Sequence, residues 1–308
     1  MKIIIIGAGA MGMLFGGRLA QKGNDVTMVD VVPAVVDKLN KDGIILDSED
    51  GVNRIPIKAA LAKDVSEKAD LVLIFTKTIY TRSALEGARH IFDKETAVMT
   101  CQNGLGNIEL INEFVPFENI IAGVTTFASD VKGLGEISSH GHGHTKIMTA
   151  NGKQTDVLIK VNEALRDAGL SSEIVPDVMV AIWEKVAFNA AINACTAACR
   201  IPCGGMAVTE EGKHLIYAIA KETVAVANAH GVKASEQKVL DTLTNTFTAH
   251  KDHFTSMAQD ILKKRQTEVA FINGGIVKKA KEVGMEVPYT ETLFALIKTM
   301  ENNYDIQA

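Results

Sequence analysis

Residues 1–12 read Met-Lys-Ile-Ile-Ile-Ile-Gly-Ala-Gly-Ala-Met-Gly, and Asp30 closes the next apolar run. Four consecutive isoleucines predict a buried parallel strand. Gly7, Gly9 and Gly12 then stand at G-x-G-x-x-G spacing, where a dinucleotide-binding fold turns from strand into helix. Gly7 allows the tight turn. Gly9 has no Cβ, so a pyrophosphate can approach the backbone, and Gly12 lets the helix pack close to the strand. Phosphates are expected on the backbone of Gly7, Ala8, Gly9, Ala10, Met11 and Gly12, where the helix N-terminus offers free N–H groups. The motif has its context: Met11–Leu19 is apolar at helical spacing, Gly23 is a stop, and Asp25–Val29 reads as a second strand. A glycine-rich turn in an unrelated α/β protein is the plainer alternative, and the completeness of the βαβ unit argues against it.

Asp30 bears on cofactor choice. A carboxylate at the end of the second strand accepts hydrogen bonds from the adenosine ribose hydroxyls and repels a 2′-phosphate. No Arg or Lys stands beside it in Asp30-Val-Val-Pro. NAD is therefore favoured over NADP, the alternative being that Asp30 is only a solvated loop acid.

Outside this motif the composition is that of a globular protein, and 308 residues suffice for two domains. A net charge of −5 gives no support to nucleic-acid binding. No apolar run reaches the ~20 residues of a membrane span, so no membrane partner is expected. The first residues read as a strand and not as a signal peptide, so a cytoplasmic location is expected. Cys101, Cys195, Cys199 and Cys203 fit a reducing compartment. The last three are spaced four apart among alanines, which suits small buried apolar residues better than a zinc site. His140, His142 and His144 alternate with glycines and would share one face of a strand. Close backbone approach explains the glycines better than metal binding, and no metal is expected.

The first half alternates strand and helix, with strands at Leu71–Phe75, Ala97–Cys101 and Ile120–Thr125 and helices around Pro33–Asn40, Thr78–Ile91 and Asn107–Glu113. Alternation of this kind predicts a parallel, doubly wound sheet. Leu134–Thr149 reads as an antiparallel edge hairpin, Thr155–Ala168 as an amphipathic helix, and Ser171–Val175 as a last strand. Beyond Pro176 only helical patterns recur: Asp177–Cys199, Glu210–His230, Ser235–Phe247, Thr255–Val283 and a helix after Pro288. The class is therefore α/β, with an N-terminal Rossmann-like doubly wound sheet in residues 1–175 and an all-helical domain in residues 176–308. Ligands of open α/β sheets bind outside the carboxyl ends of the strands.

Three constellations could carry chemistry. Gln102-Asn103-Gly104-Leu105-Gly106 follows a strand, where a side-chain amide can reach a ligand; a polar turn is the alternative. Lys185, Asn189 and Asn193 share one helix face among Val, Ala, Phe and Ile, and a lysine with two amides could receive an oxyanion or a carboxylate. A solvated helix face is the competing reading. Ser256, Asp260, Lys264 and Glu268 fall at fourfold spacing, ordinarily a sign of exposed i,i+4 pairs. Gly274-Gly275 within a helix implies close packing against another element.

Taken together, the glycine-rich start, Thr76-Lys77, Gln102-Asn103-Gly104, Lys185-x₃-Asn189-x₃-Asn193, Thr255-Ser256-Met257-x-Gln259-Asp260 and Thr267-Glu268-x₃-Ile272-Asn273-Gly274 resemble the ketopantoate reductase family over essentially the whole chain. The resemblance implies hydride transfer from a nicotinamide cofactor to C2 of a 2-keto acid. It implies Lys185 as general acid, Glu268 as the carboxylate near the lysine and cofactor, and Ser256 as the hydroxyl holding the substrate carboxylate. Asn189 and Asn193 would orient the substrate. Asn103 would stand beside lysine and nicotinamide, and Thr76 and Lys77 near the cofactor. An ammonium desolvated in such a place becomes an effective acid near neutrality.

The departures from the family pattern also count. Many members have a basic residue where this chain has Asp30, and use NADP. Members acting on ketopantoate often have two further asparagines where Cys203 and His253 stand here. Removing hydrogen-bond donors weakens selection for a substrate hydroxyl. The expected substrate is thus a branched or aromatic 2-keto acid, as in the D-mandelate type of NAD-linked D-2-hydroxyacid dehydrogenases. The alternatives are NADPH-dependent reduction of ketopantoate (2-dehydropantoate) and, more remotely, a non-catalytic NAD(H)-binding redox sensor. Apolar C-terminal helices suggest a homodimer.

Overall fold

A computed structural model describes residues 1–306. The chain divides into two compact units. One contains Met1–Gln102 and Asn107–Val178, the other Asn103–Gly106 and the residues from Met179 on.

The first unit begins with β1 (Lys2–Ile6), α1 (Ala10–Gln21), β2 (Asp25–Val29) and α2 (Pro33–Asp42), then the short strands β3 (Ile44–Ser48), β4 (Gly51–Ile55) and β5 (Lys58–Ala60). It continues with β6 (Leu71–Ile74), α3 (Thr81–Gly87), β7 (Ala97–Thr100), α4 (Asn107–Asn112) and β8 (Ile120–Thr125). It closes with β9 (Asp130–Gly133), β10 (Glu136–Ser138), β11 (Thr145–Thr149), α5 (Asp156–Asp167) and β12 (Ser172–Ile174). The main sheet has eight strands in the order β12-β11-β8-β7-β6-β1-β2-β5. β1 is central, parallel to β2 and to β6, with Ile3 opposite both Val26 and Leu71. Ile3 to Ile6 are at most 3% exposed, as a strand covered on both faces requires. The fold is the expected Rossmann-like one, but the sheet is mixed. β11 runs antiparallel to β8 and parallel to β12, so these two edge strands oppose the rest.

A second, four-stranded sheet in the order β4-β3-β10-β9 was not foreseen. α1 lies between the two sheets. Its Gly16 faces Met28 and Ile5 of the main sheet, and its Gly17 faces Ile55 and Ile44 of the small one. The hairpin expected over Leu134–Thr149 is in fact divided: β10 pairs with β9 and β3, and β11 with β8. Between them Gly143 passes so close to Phe127 that a Cβ would stand 2.5 Å from its ring. His140, His142 and His144 consequently lie in or beside this loop, exposed, and do not share a strand face. The helix expected over Thr78–Ile91 is a 3₁₀ turn, α3 and a second 3₁₀ turn.

The second unit contains α6 (Val178–Cys199), α7 (Glu210–Ala229), α8 (Glu236–Ala249), α9 (Ser256–Leu262), α10 (Asn273–Glu282) and α11 (Pro288–Glu301). At its centre α6 presents Ala187, Ala190, Ala191, Ile192, Ala194, Cys195 and Ala197, all fully buried. This 22-residue helix, with mean hydropathy 1.2, is long and apolar enough to cross a membrane, contrary to the reading of the sequence. It is a core helix of this unit, and 67% of its apolar window is buried. Cys195 and Cys203 are buried as expected, and so is Cys101, whereas Cys199 is exposed at the end of α6. Burial pushes the Cys195 thiol up to about 12.

The helix expected over Thr255–Val283 is broken. α9 stops at Leu262, Lys264 takes φ +52°, and α10 starts only at Asn273. Side-chain partners hold the break: the Asp260 carboxylate pairs with the Arg265 guanidinium at 2.9 Å, and the Glu301 carboxylate takes the Thr267 N–H. Ser256, Asp260, Lys264 and Glu268 therefore do not form one helix face. Gly274 and Gly275 occupy the first turn of α10, pressed against Phe294 and Leu105, so the close packing inferred for them is real.

α11 has no capping side chain of its own. Glu222 of α7 fills that role, its carboxylate accepting from the Tyr289 and Thr290 N–H groups at 3.0 and 2.9 Å and from the Thr290 hydroxyl at 2.7 Å. Replacing Glu222 by Ala should cost about 1–2 kcal/mol, the value of a helix cap with its charge. Urea denaturation checks this; an unchanged midpoint and slope would show that the cap contributes nothing.

Candidate active site

In the first unit β1 leads into Gly7, at φ +106°, and α1 follows. A Cβ on Gly12 would lie 1.9 Å from the Gly7 carbonyl oxygen, so only glycine permits this crossing of helix over strand. Gly9 is the N-cap of α1, exposed, with no side-chain cap and no acidic residue in the first turn. The helix N-terminus thus keeps its partial positive charge, with open space in front of Gly9. Asp30 ends β2 beside this loop. Its Oδ2 accepts from the Ala8 N–H at 2.9 Å and its Oδ1 from the Val32 N–H at 3.0 Å. The carboxylate is fixed and retains lone pairs for further donors, which suits a ribose diol and opposes a phosphate. The open cradle at Gly9 and the anchored Asp30 fit a nicotinamide–adenine dinucleotide.

Two loops leave the carboxyl ends of β6 and β7. Gln102 joins them, donating from Nε2 to the Thr76 carbonyl and to the Thr81 hydroxyl, both at 2.7 Å. The Thr100 hydroxyl donates to Gln102 Oε1 at 2.9 Å. The Gln102 amide is therefore engaged within the sheet, and of the two amides in this stretch only Asn103 points elsewhere. Thr76 contacts Thr81 Oγ1 at 3.1 Å, and Lys77 stands at the N-cap position of the 3₁₀ turn Thr78–Tyr80. Both are half-buried.

Asn103 belongs to the second unit. The Leu105 N–H donates to the Phe271 carbonyl at 2.9 Å, and Gly104, at φ +89°, lies against the same peptide. This fold-over brings Asn103 Nδ2 to 3.4 Å from Glu268 Oε2, while Asn189 Nδ2 lies 3.5 Å from Asn103 Oδ1. Both contacts are long for hydrogen bonds. Lys185 and Asn193 stand one turn either side of Asn189 on the same face of α6, about 6 Å along the axis. Asn189 and Asn193 are only 7% and 6% exposed and Lys185 is half-buried, so the face is no solvated stripe. Glu184, its neighbour, instead pairs with Lys238 and accepts from the Ser235 N–H, securing the start of α8.

Ser256 is exposed at the first position of α9, and hydroxyls place it. Thr255 Oγ1 accepts from the Ala258 N–H and meets Thr196 Oγ1 at 2.8 Å, while Thr196 reaches the Asn193 carbonyl at 3.1 Å. The start of α9 is thereby pinned to the Asn193 turn of α6. Asn273 Nδ2 donates to the Ala190 carbonyl at 3.2 Å and ties α10 to the same helix. The structure thus joins Asn103 directly to Asn189 and to Glu268, and holds the start of α9, where Ser256 stands, against the helix of Asn189. Cys203 and His253 also come together, through a 2.9 Å bond from the Cys203 N–H to the His253 carbonyl. Burial raises the Cys203 thiol above its usual range. Reading the sequence missed Gln102 as a connector and Glu301, whose carboxylate accepts from Thr267; neither carries a spacing signal. Among the described residues, no group of three His, Cys, Asp or Glu side chains could hold a metal.

Comparison with known proteins settles the family. Residues 3–152 match the family described as Ketopantoate reductase PanE/ApbA, and residues 177–301 its C-terminal counterpart. The chain is 32% identical over 303 residues to a 2-dehydropantoate 2-reductase of Pyrococcus horikoshii, spanning 98% of each chain. It belongs to the ketopantoate reductase family, a family of oxidoreductases. It is also similar to a 2-dehydropantoate 2-reductase of Streptococcus pyogenes serotype M6, with 29% identity and all of both chains covered. A ternary structure of D-mandelate dehydrogenase with NADH and anilino(oxo)acetate superimposes with a TM-score of 0.95 at 27% identity, over 99% of this chain and 100% of that one.

A Cβ on Gly104 would approach the Phe271 carbonyl oxygen to 2.6 Å, whereas at Gly106, also at positive φ, it would meet nothing within 4 Å. Gly104→Ala should therefore lower stability by about 1–3 kcal/mol more than Gly106→Ala, whose cost is backbone strain alone. Equal losses in chemical denaturation would contradict the close approach of Asn103–Gly106 to Phe271.

Proposed function

We propose that the protein is an NAD-linked oxidoreductase interconverting a bulky, branched or aromatic, 2-keto acid and its D-2-hydroxy acid, of which benzoylformate and D-mandelate are the type. The observation that carries this reading is the meeting of Asn103 with both Glu268 and Asn189 on the Lys185 face of α6. In this proposal residues 1–175 hold the dinucleotide and residues 176–308 the substrate. Gly7 to Gly12 receive the pyrophosphate, Asp30 the adenosine ribose, and Thr76 and Lys77 flank the cofactor.

A nicotinamide held here would supply the hydride for C2. Lys185 donates a proton to the carbonyl oxygen as it gains charge, and its ammonium stabilises the developing alkoxide. Asn103 and Glu268 hold Lys185 and the cofactor in register. Asn189 and Asn193 orient the keto acid, and the Ser256 hydroxyl takes its carboxylate. In the reverse direction Lys185 accepts the proton from the hydroxyl. The paired Cys203 and His253 would give the distal pocket a less polar wall than an amide pair, which favours a bulky apolar substituent. The same reading makes the protein a cytoplasmic homodimer that acts on small molecules, with no nucleic-acid or membrane partner.

The second reading is NADPH-dependent reduction of 2-dehydropantoate, favoured by the names of the relatives. Initial rates with benzoylformate, 2-ketoisocaproate and ketopantoate, each with NADH and NADPH, separate the two. The expected optimum is one of the first two acids with NADH. In the same assay Asp30→Arg should shift the NADH-to-NADPH ratio of kcat/KM toward NADPH by about tenfold or more, the scale of one charged contact. Preference for ketopantoate with NADPH would overturn the first reading. An unaltered ratio in Asp30→Arg would overturn the role given to Asp30, and no turnover of any acid would leave a dinucleotide sensor.

A further inference from the structure

The loop that carries Glu268 is gripped by the far end of α11. Thr267, 1% exposed, donates its N–H at 2.9 Å and its hydroxyl at 2.7 Å to Oε2 of Glu301, itself 7% exposed. The same Thr267 hydroxyl accepts from the Val269 N–H at 3.2 Å, so one oxygen brackets Glu268 from both sides. The Glu268 carbonyl then accepts from the Phe271 and Ile272 N–H groups, both at 3.0 Å, and the Phe271 carbonyl accepts from Leu105. Hydrogen bonds linked through the backbone of residues 267–271 thus run from Glu301 to the segment bearing Asn103. Tyr304 adds a second grip, its hydroxyl donating to the Arg265 carbonyl at 2.6 Å. Burial, with the charges of Glu301 and Asp260, raises that phenol to about 12, so it keeps its proton.

The position of Glu301 is otherwise unfavourable. It is the last residue of α11, where the helix dipole opposes a carboxylate, and a buried carboxylate needs donors on its oxygens. Lys298 on the preceding turn supplies one charge partner to Oε1, and among the described residues Thr267 donates twice to Oε2. Helix stability alone would place a Lys or Arg at this end.

We propose that Glu301 is a positioning residue: through Thr267 it fixes the backbone on which Glu268 faces Asn103. This inference rests on the proposed role of Glu268 and adds a residue that touches neither substrate nor cofactor. It predicts that the effect of Glu301 on turnover passes through Glu268.

The experiment is a double-variant cycle on the full chain, with the keto acid and cofactor that the wild type turns over best. Glu301→Ala should lower kcat by about tenfold or more while the KM for the dinucleotide stays within about twofold. Glu301→Gln, which keeps an acceptor oxygen for Thr267, should recover most of the loss. In a Glu268→Ala background, Glu301→Ala should bring no further loss. Thr267→Val and Thr267→Ser provide the same comparison should Glu301→Ala fail to fold: Val should mimic the loss and Ser should not. A full additional loss in the Glu268→Ala background would show that Glu301 acts on stability in general and would overturn the proposal. So would wild-type kcat in Glu301→Ala or Thr267→Val. Wild-type protein that turns over no 2-keto acid would instead sink the reading of function, and this inference with it.

Discussion

One backbone hydrogen bond, from the Leu105 N–H to the Phe271 carbonyl, holds the arrangement together. Without it Asn103 would be one more polar residue after a strand. With it, four residues that follow β7 in sequence fold into the helical unit, and Asn103 faces Glu268 and Asn189. Gly104 is required because the two peptides approach too closely for any side chain. Gly275 and Leu105 pack beside the same junction. Burying the amides of Asn189 and Asn193 beside the half-buried Asn103 and Glu268 is costly unless these groups satisfy one another or a ligand.

The first unit follows a different logic. There the constraint is the crossing of α1 over β1 at Gly12 and Gly7, and the consequence is an uncapped helix N-terminus beside an anchored carboxylate. The positive end of the helix and the negative Asp30 lie within one short loop system. In the proposed function the first would attract the phosphates and the second the ribose of a dinucleotide. Two glycines on α1, Gly16 and Gly17, also let this helix pack against two sheets at once.

Much of this was legible in the residues, for identifiable reasons. The isoleucine run, the glycine spacing and the Lys185–Asn189–Asn193 stripe are local and periodic, and local periodicity survives folding. What escaped notice depends on partners distant in sequence. The two-residue turn Glu49-Asp50, followed by Gly51 at φ +88°, joins β3 to β4, but in sequence the short strands beside it look like part of a loop between α2 and β6. The expected single helix from Thr255 to Val283 failed because Asp260 captures Arg265 and Glu301 captures Thr267, and no pattern in the sequence announces either pair. Gln102 and Asn103 are adjacent amides with the same apparent promise. Only the fold distinguishes the one that binds its own sheet from the one that turns toward Glu268.

The central claim is that the amine of Lys185 transfers the proton during carbonyl reduction. Removing it and supplying an amine from solution tests that most directly. In Lys185→Ala, kcat for the preferred keto acid should fall by about a thousandfold, within the range of general-acid effects, while NADH binding measured by fluorescence titration stays within about threefold. Added methylamine should then raise the rate in proportion to its protonated concentration. A Lys185→Ala variant that turns over within about threefold of the wild type, with no response to amine, would contradict the account.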